Sequence, residues 1–427
     1  MNTQPAESGC PFRIDPTAAD IHGEAAALRQ LGPAARVELP GPVAAWSVTD
    51  PELAKRLLSD SRVSKDAHRH WPAYINGEIP EKWPLRVWVD VQNALTAYGD
   101  EHTRLRRLIN PAFTPRRVRA LAPVIETITG TLLDTLEGAE ARGETVDLRA
   151  GFAWQLPLLV ANTLLGVPPK MHDAFRDTIG GLFATGLTEE EALANGQAVY
   201  QLLAELIEIK RETPGDDATT LLIQAHDDET GTKLSPQELL DSLLLLIGAS
   251  HETTANLLDN AIVNLLSHPD QLALVRKGEV PWADVVEENL RHQAPIANIL
   301  MRFATEDIDD AETGLSFAKG EAFVINYAAI GRTPRPESES AADPAVFDIT
   351  RPVKEHLSFG HGVHFCMGSE LARMESRIAL SMMFERFPDL ALTVPFEDLR
   401  PMESFISNGH RTLPAALHPG EPVTPAA

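Results

Sequence analysis

Between Ser235 and Pro269 the chain carries one helix signal long enough to constrain everything around it. Ser235-Pro236-Gln237-Glu238 is a capping box, in which serine hydroxyl and glutamate carboxylate each satisfy a free backbone N–H. Proline stands at the first helical position, where no N–H is needed. Ser267-His268-Pro269 stops the pattern, because proline disfavours helical geometry in the residue before it. The span predicts about 32 helical residues, or roughly 48 Å at 1.5 Å per residue. Leu243-Leu244-Leu245-Leu246-Ile247 at its centre is apolar on every face, so the helix is expected to cross the interior. His251-Glu252-Thr253-Thr254 follows at once, and a carboxylate at that depth is costly unless partnered or functional.

Around this helix the pattern is mainly α with a minor β portion. Arg36–Leu39 and Ala44–Val48 read as strands around a turn at Pro40–Pro42, and a second strand pair is expected around Ala318–Glu321. Helical periodicity covers Pro51–Ser59, Glu101–Asn110, Ala120–Glu137, Gln197–Arg211 and Pro281–Gln293. No repeat or low-complexity linker divides the 427 residues, so one domain over 1–427 is expected, with an N-terminal extension of about residues 1–15.

Charge and cysteine content exclude several classes of function. Lys and Arg number 37 against 61 Asp and Glu, a net −24 that argues against wholesale binding to nucleic acid or anionic lipid. Cys10 and Cys366 are the two cysteines, too few for a disulfide framework, so a reducing cytoplasm is expected. The N-terminus lacks a basic-then-apolar signal pattern. Leu243–Ala249 and Leu156–Val167 are the longest apolar stretches, short of the roughly 20 residues of a membrane span.

The densest chemistry lies in His356–Gly368, where Cys366 precedes a helical pattern at Met367–Phe387. A helix start favours a thiolate over a thiol, and glycines let backbone N–H groups approach the sulfur. A lone cysteine is by default inert and buried. A zinc cluster of His361, His364 and Cys366 fits no common ligand spacing. Phe359, Gly360, Gly362, His364, Cys366 and Gly368 stand where the haem-binding signature of the cytochrome P450 family has them, and the chain resembles that family. The resemblance implies the cytochrome P450 fold, a long central helix crossing the haem, and haem b bound with Cys366 as axial iron ligand beside Phe359 and Gly368. A thiolate ligand donates electron density to iron and favours O–O cleavage.

Three more motifs resemble the same family in the same order. Glu288 and Arg291 share a helix face, a spacing that alone reads as a solvated ion pair. The resemblance implies that they lock with Arg351 as a structural element. His102 and Arg106, at i and i+4, suit an anion. The resemblance assigns them, with Arg302 and His364, to the haem propionates. Ala249-Ser250-His251-Glu252-Thr253 resembles the acid–alcohol segment, in which Glu252 and Thr253 supply protons to dioxygen beside Ala249. Ser250 departs from the usual glycine there, and His251 reads as structural.

The implied substrate contacts are Trp88, Leu95, Phe175, Ile179, Ala249, Ile296, Ala297, Ile299, Phe405 and Ile406, forming a largely apolar pocket. Gly180, Gly181 and Gly186 would let Phe175–Leu187 move as a lid. Arg104, Arg106, Arg107, Arg116, Arg117 and Arg119 form a basic span in an acidic chain. A solvated face is its plain reading, while the resemblance implies docking of an acidic ferredoxin served by ferredoxin reductase. The implied reaction is insertion of one atom of O2 into a C–H or C=C bond of an apolar small molecule (steroid, macrolide or other natural product). A peroxide-driven enzyme and a haem carrier or gas sensor are the alternatives, and neither has a use for Glu252-Thr253.

Overall fold

The computed structural model describes residues 11–182, 189–226, 231–334 and 343–419. Cys10 and the 183–187 end of the expected lid, with Gly186, lie outside them. Six strands form the main sheet: β1 (Phe12–Arg13), β2 (Ala34–Leu39), β3 (Val43–Val48), β4 (Val63–Ser64), β5 (Asn298–Ala304) and β6 (Ala322–Asn326). The helices that position the site are α1 (Pro51–Ser59), α2 (Gly99–Ile109), α3 (Ala122–Ala141), α4 (Gln155–Leu165), α5 (His172–Leu182), α6 (Glu189–Glu212), α7 (Pro236–Ser267), α8 (Trp282–His292) and α9 (Ser369–Arg386). The fold is mainly α with a small β portion.

Local chemistry sets the helix ends. Glu238 N donates to Ser235 Oγ at 3.2 Å and Ser235 N to Glu238 Oε2 at 2.6 Å, so the capping box starts α7 as the sequence predicts. The helix runs unbroken to Ser267, buried along most of its length, and packs against α4, α6, α8 and α9. Asp50 accepts from Leu53 N at 2.8 Å and opens α1 ahead of Pro51. Among the described residues no helix is long and apolar enough to cross a membrane.

The sheet order is β1-β2-β3-β6-β5-β4. β2 and β3 pair antiparallel around the Pro40–Pro42 turn, from Ala34↔Val48 to Leu39↔Val43. β3 pairs parallel with β6, and β6 antiparallel with β5. The strands flanking Ala318–Glu321 exist, but they are not the expected pair. Leu315–Phe317 pairs with Ile308–Asp310, whereas β6 lies in the middle of the main sheet with all five residues buried. Glu321 explains the turn's attachment, because it accepts both Ala318 N at 3.0 Å and Trp46 Nε1 at 2.8 Å. A continuous apolar run such as Ala322–Ile325 belongs between neighbours, not at an edge.

The N-terminal extension also proves shorter than expected. Phe12 pairs with Val37, and Ile14 is buried. At the other end, α9 begins at Ser369 instead of Met367, with Gly368 as its N-cap.

Candidate functional site

The Cys366 loop is shaped by two left-handed glycines. Gly360 has φ +76° and Gly362 φ +69°, and a Cβ at Gly362 would lie 2.5 Å from the Leu58 carbonyl, so the loop packs flat on the end of α1. Cys366 N donates to Phe359 O at 2.9 Å, closing the loop. Burial pushes the Cys366 thiol up, against the Gly368 and Ser369 N–H groups and the Arg106 and Arg373 charges, which favour the thiolate. Arg373 is itself held over the Phe359 ring at 4.5 Å and paired with Glu287 at 2.5 Å. Cys366 is nonetheless exposed as a residue, so its sulfur is open to a cation that would favour the thiolate.

Basic side chains gather nearby, and among the described residues no acidic side chain is bonded to His102, Arg302, Lys65 or His364. The His102 and His364 rings stand 4.1 Å apart, and Arg106 donates to Phe365 O at 3.1 Å. Arg302 is fully buried, and its guanidinium is pulled below the usual range by burial. Lys65, also buried, donates to Leu300 O at 2.9 Å and has Arg302 as its charged neighbour. Burial, followed by its neighbours Arg302, His102, Lys65 and Arg106, drives His364 far below the ordinary imidazole range. His102 is lowered to about 4 by burial and Arg106. Among the described residues, His102 Nε2 and Arg302 Nη1 are buried with no hydrogen-bond partner. Partnerless buried nitrogens beside the buried charges of Arg302 and Lys65 call for an anion. A dianionic edge, such as the two propionates of a haem, would satisfy these atoms, and the cysteine would supply a thiolate ligand. The residues therefore fit that group.

Glu288, Arg291 and Arg351 meet in the interior. Arg291 Nε and Nη2 donate to the two Glu288 oxygens at 2.7 Å each, and Arg351 Nε lies 3.7 Å from Oε1. Arg291 also donates to the carbonyls of Gly331 and Pro344, while Arg351 donates to those of Asp343 and Val346. The triad ties α8 to the chain approaching the Cys366 loop.

On α7, Leu245, Gly248, Ala249 and Thr253 form a strip at i, i+3, i+4 and i+8 that stays open amid buried neighbours, with Ala249 exposed. Thr253 Oγ1 donates to Ala249 O at 2.7 Å, leaving its lone pairs to accept. Ser250 Oγ donates to Leu246 O at 2.7 Å, so this hydroxyl is taken up by its own helix. His251 is fully buried against Trp154, with Nε2 2.9 Å from Trp154 O. Glu252 lies on the same stripe, i+3 from Ala249 and i+4 from Gly248, but it is buried and its carboxylate is held by a loop. Ser407 Oγ donates to its Oε1, and burial raises its carboxyl despite Ser407, Arg149 and Asn256.

Of the residues read as substrate contacts, Trp88, Ile296, Phe405 and Ile406 meet in one apolar cluster, and Leu95 is half-buried. The others are placed differently. Ala297 is fully buried with Ala25, Ala328 and Ala329, and Ile299 packs on the opposite side of β5 with Phe323 and Ile325. Strand alternation explains that reversal. Phe175 and Ile179, on α5, are buried against Val199 and Leu202 of α6. The basic span is smaller than its sequence suggests. Arg104 pairs with Glu101 and Glu238, and Arg117 with Asp216, while Arg107, Arg116 and Arg119 are the members whose residues are exposed.

The sequence reading missed Lys65 and the residues around Glu252. Lys65, between Ser64 and Asp66, looks like any surface lysine. The second group did leave a signal: Glu252, Asn256, Asp259 and Asn260 recur at i, i+4, i+7 and i+8, a polar face on a helix otherwise apolar.

Comparison with known proteins agrees with this geometry. A family model described as Cytochrome P450 matches residues 182–278 and 282–404. The chain is 43% identical over 408 residues to 2-hydroxy-5-methyl-1-naphthoate 7-hydroxylase of Streptomyces carzinostaticus, covering 96% of this chain and 98% of that protein. It is 36% identical to 6-deoxyerythronolide B hydroxylase of Saccharopolyspora erythraea, over 98% of this chain and 100% of the relative. The solved structure of CYP154A1 from Streptomyces coelicolor A3(2) superposes with a TM-score of 0.86 at 51% identity, covering 95% of this chain and 100% of that one.

Proposed function

The chain belongs to the cytochrome P450 family, and on that premise we propose that it hydroxylates a ring-bearing natural product using electrons from ferredoxin and ferredoxin reductase. Its class is that of a haem-thiolate oxidoreductase, a monooxygenase. The observation that carries the site assignment is the pair of buried, partnerless nitrogens on His102 and Arg302 among the described residues, beside the buried charges of Arg302 and Lys65, in a chain whose Cys366 sulfur is met by two backbone N–H groups. That combination suits haem b, whose two propionates these residues would hold and whose iron Cys366 would ligate. When bound, the haem supplies dioxygen activation and transfer of one oxygen atom, the other leaving as water.

The protein's own residues then have distinct tasks. Cys366 ligates, and Gly368 and Ser369 hold its charge. Lys65, His102, Arg106, Arg302 and His364 anchor the anionic edge. Thr253 accepts a hydrogen bond from a water in the open strip of α7, and Glu252 supplies the proton that such a water passes on. The apolar group of Trp88, Ile296, Phe405 and Ile406 excludes water and orients substrate by shape. Two relatives are named as hydroxylases of a naphthoate and of 6-deoxyerythronolide B, which supports a ring-bearing substrate, a steroid or macrolide included. The exposed Arg107, Arg116 and Arg119 would receive an acidic ferredoxin in the cytoplasm.

Turnover with NADPH, ferredoxin, reductase and labelled dioxygen tests this reading. One labelled oxygen should appear in product, and the rate should fall as salt rises, since attraction between exposed charges is screened over about 10 Å at 0.1 M ionic strength. Arg116→Glu should slow reduction without changing the substrate-induced spectral shift. Full turnover without any electron-transfer protein, or product oxygen drawn from water, would contradict it.

A further inference from the structure

The polar face of α7 is covered residue by residue by one short loop. Ser407 donates to Glu252 Oε1. Asn260 Nδ2 donates to Asn408 O at 2.8 Å. Gly409 lies so close that a Cβ there would stand 2.7 Å from Asn256 Oδ1 and 3.1 Å from Arg149 Nη1. His410 Nδ1 is 2.5 Å from Asp259 Oδ1. Four consecutive loop residues therefore meet four side chains spaced i, i+4, i+7 and i+8 on the central helix, each at most 3% exposed.

Arg149 joins the same group from the turn before α4. Its Nη1 donates to Asp259 Oδ2 at 2.6 Å and its Nη2 to Asn256 Oδ1 at 3.0 Å. Asp147 anchors both sides, accepting from Arg149 N and from Leu413 N at 2.9 Å each. The result is a buried array running from Glu252 through Asn256, Arg149 and Asp259 to His410, whose side chain is 15% exposed. It is not a proton wire, because a guanidinium keeps its protons and an amide passes none readily. Its arrangement instead controls where the Glu252 carboxylate points and what charge it meets.

We propose that Ser407 and Arg149 are positioning residues for Glu252, Ser407 holding one carboxylate oxygen to the 407–410 loop and Arg149 supplying a positive field that Asp259 partly cancels. This rests on the role of Glu252 in proton supply given above. The titratable or charged groups facing Glu252 are Arg149 from the turn before α4, Asp259 and His251 from α7, and His410 from the loop. His251 is committed to Trp154 O. Ser407 and Arg149 both favour the charged carboxylate, against its burial. Because the loop also carries Phe405 and Ile406, the acid and the apolar wall are fixed by one segment.

Infrared difference spectroscopy of the haem-loaded enzyme reads the ionisation of Glu252 directly, its protonated C=O band being identified by loss in Glu252→Gln. Ser407→Ala and Arg149→Met should each move the titration midpoint up by about one pH unit, the size of one charge-assisted hydrogen bond. Asp259→Asn should move it down, because the Arg149 charge is then uncompensated, and Ser407→Thr should restore the wild-type midpoint. The pH profile of product formed per NADPH should shift in the same directions. The opposite sign for Asp259→Asn separates positioning from general damage. If Arg149→Met fails to fold, Ser407→Ala and Asp259→Asn carry the test. An unmoved midpoint in Ser407→Ala, or an upward one in Asp259→Asn, would overturn the proposal. Infrared shifts as expected in an enzyme that hydroxylates nothing would overturn the reading of the reaction and leave this assignment standing.

Discussion

Thr253 and Cys366 owe their chemistry to how few partners each has. The Thr253 hydroxyl gives its hydrogen to Ala249 O, so it meets the open side of α7 as an acceptor. Thr253→Ala should leave haem content and the substrate-induced spectral shift intact while product per NADPH falls and hydrogen peroxide rises. General acid assistance of this kind contributes typically about 10²–10⁴-fold. Unchanged coupling in the mutant would place proton transfer elsewhere. Residues such as Cys366 were legible in the sequence because their roles fix their neighbours: a flat loop needs glycines at set distances from the sulfur. Lys65 and Ser407 were not legible, since each acquires its role from segments more than 150 positions away, Leu300 for one and Glu252 for the other.

Elements divide the same way. The ends of α7 follow from contacts within four residues, and the capping box and stop proline mark them in the sequence. Strand pairing is a long-range fact: β3 and β6 are neighbours through Trp46↔Phe323, and nothing local to Ala318–Glu321 announces it. Two of the expected substrate contacts, Ala297 and Ile299, pack away from the Trp88 cluster for a related reason. Alternation along β5 turns Leu300 toward the Trp88 cluster and Ile299 away from it, and a one-residue choice of face decides which side chain lines a cleft. The element joining α8 to the Cys366 approach is the buried Glu288, Arg291 and Arg351 triad. Arg291→Met leaves the Glu288 charge half-compensated in the interior, and breaking a buried pair in this way costs about 3–5 kcal/mol. The expected result is a lower denaturation midpoint together with haem loss from the purified enzyme. Wild-type stability in that variant would mean that the triad is dispensable.

At the scale of the whole molecule, two sets of buried groups oppose each other with pH. Burial alone pushes Glu375, on the face of α9 within the protein, up to about 8 from 4.5. Its neutral carboxyl therefore stabilises the fold fully below about 4.5, and that contribution is lost as pH rises through about 8. His22 and His251 are lowered to about 4 and His292 to about 2, chiefly by burial, so their contribution is full above 6.5 and lost as pH falls. Thermal stability should peak near pH 6.5, where the histidines have stopped gaining and Glu375 is still losing. Glu375→Gln should flatten the fall between pH 6.5 and 8 and leave the acid side unchanged. A calorimetric pH series checks both limbs, and an alkaline slope that survives in Glu375→Gln would assign it to another group.

All of these roles presuppose a haem bound through the Cys366 sulfur, and one spectrum tests that most directly. The reduced carbon monoxide complex of the purified protein should show the red-shifted Soret band of thiolate ligation, and Cys366→His should abolish it, because imidazole donates less charge to iron. A wild-type spectrum without that band, or a Cys366→His spectrum that keeps it, would contradict the account.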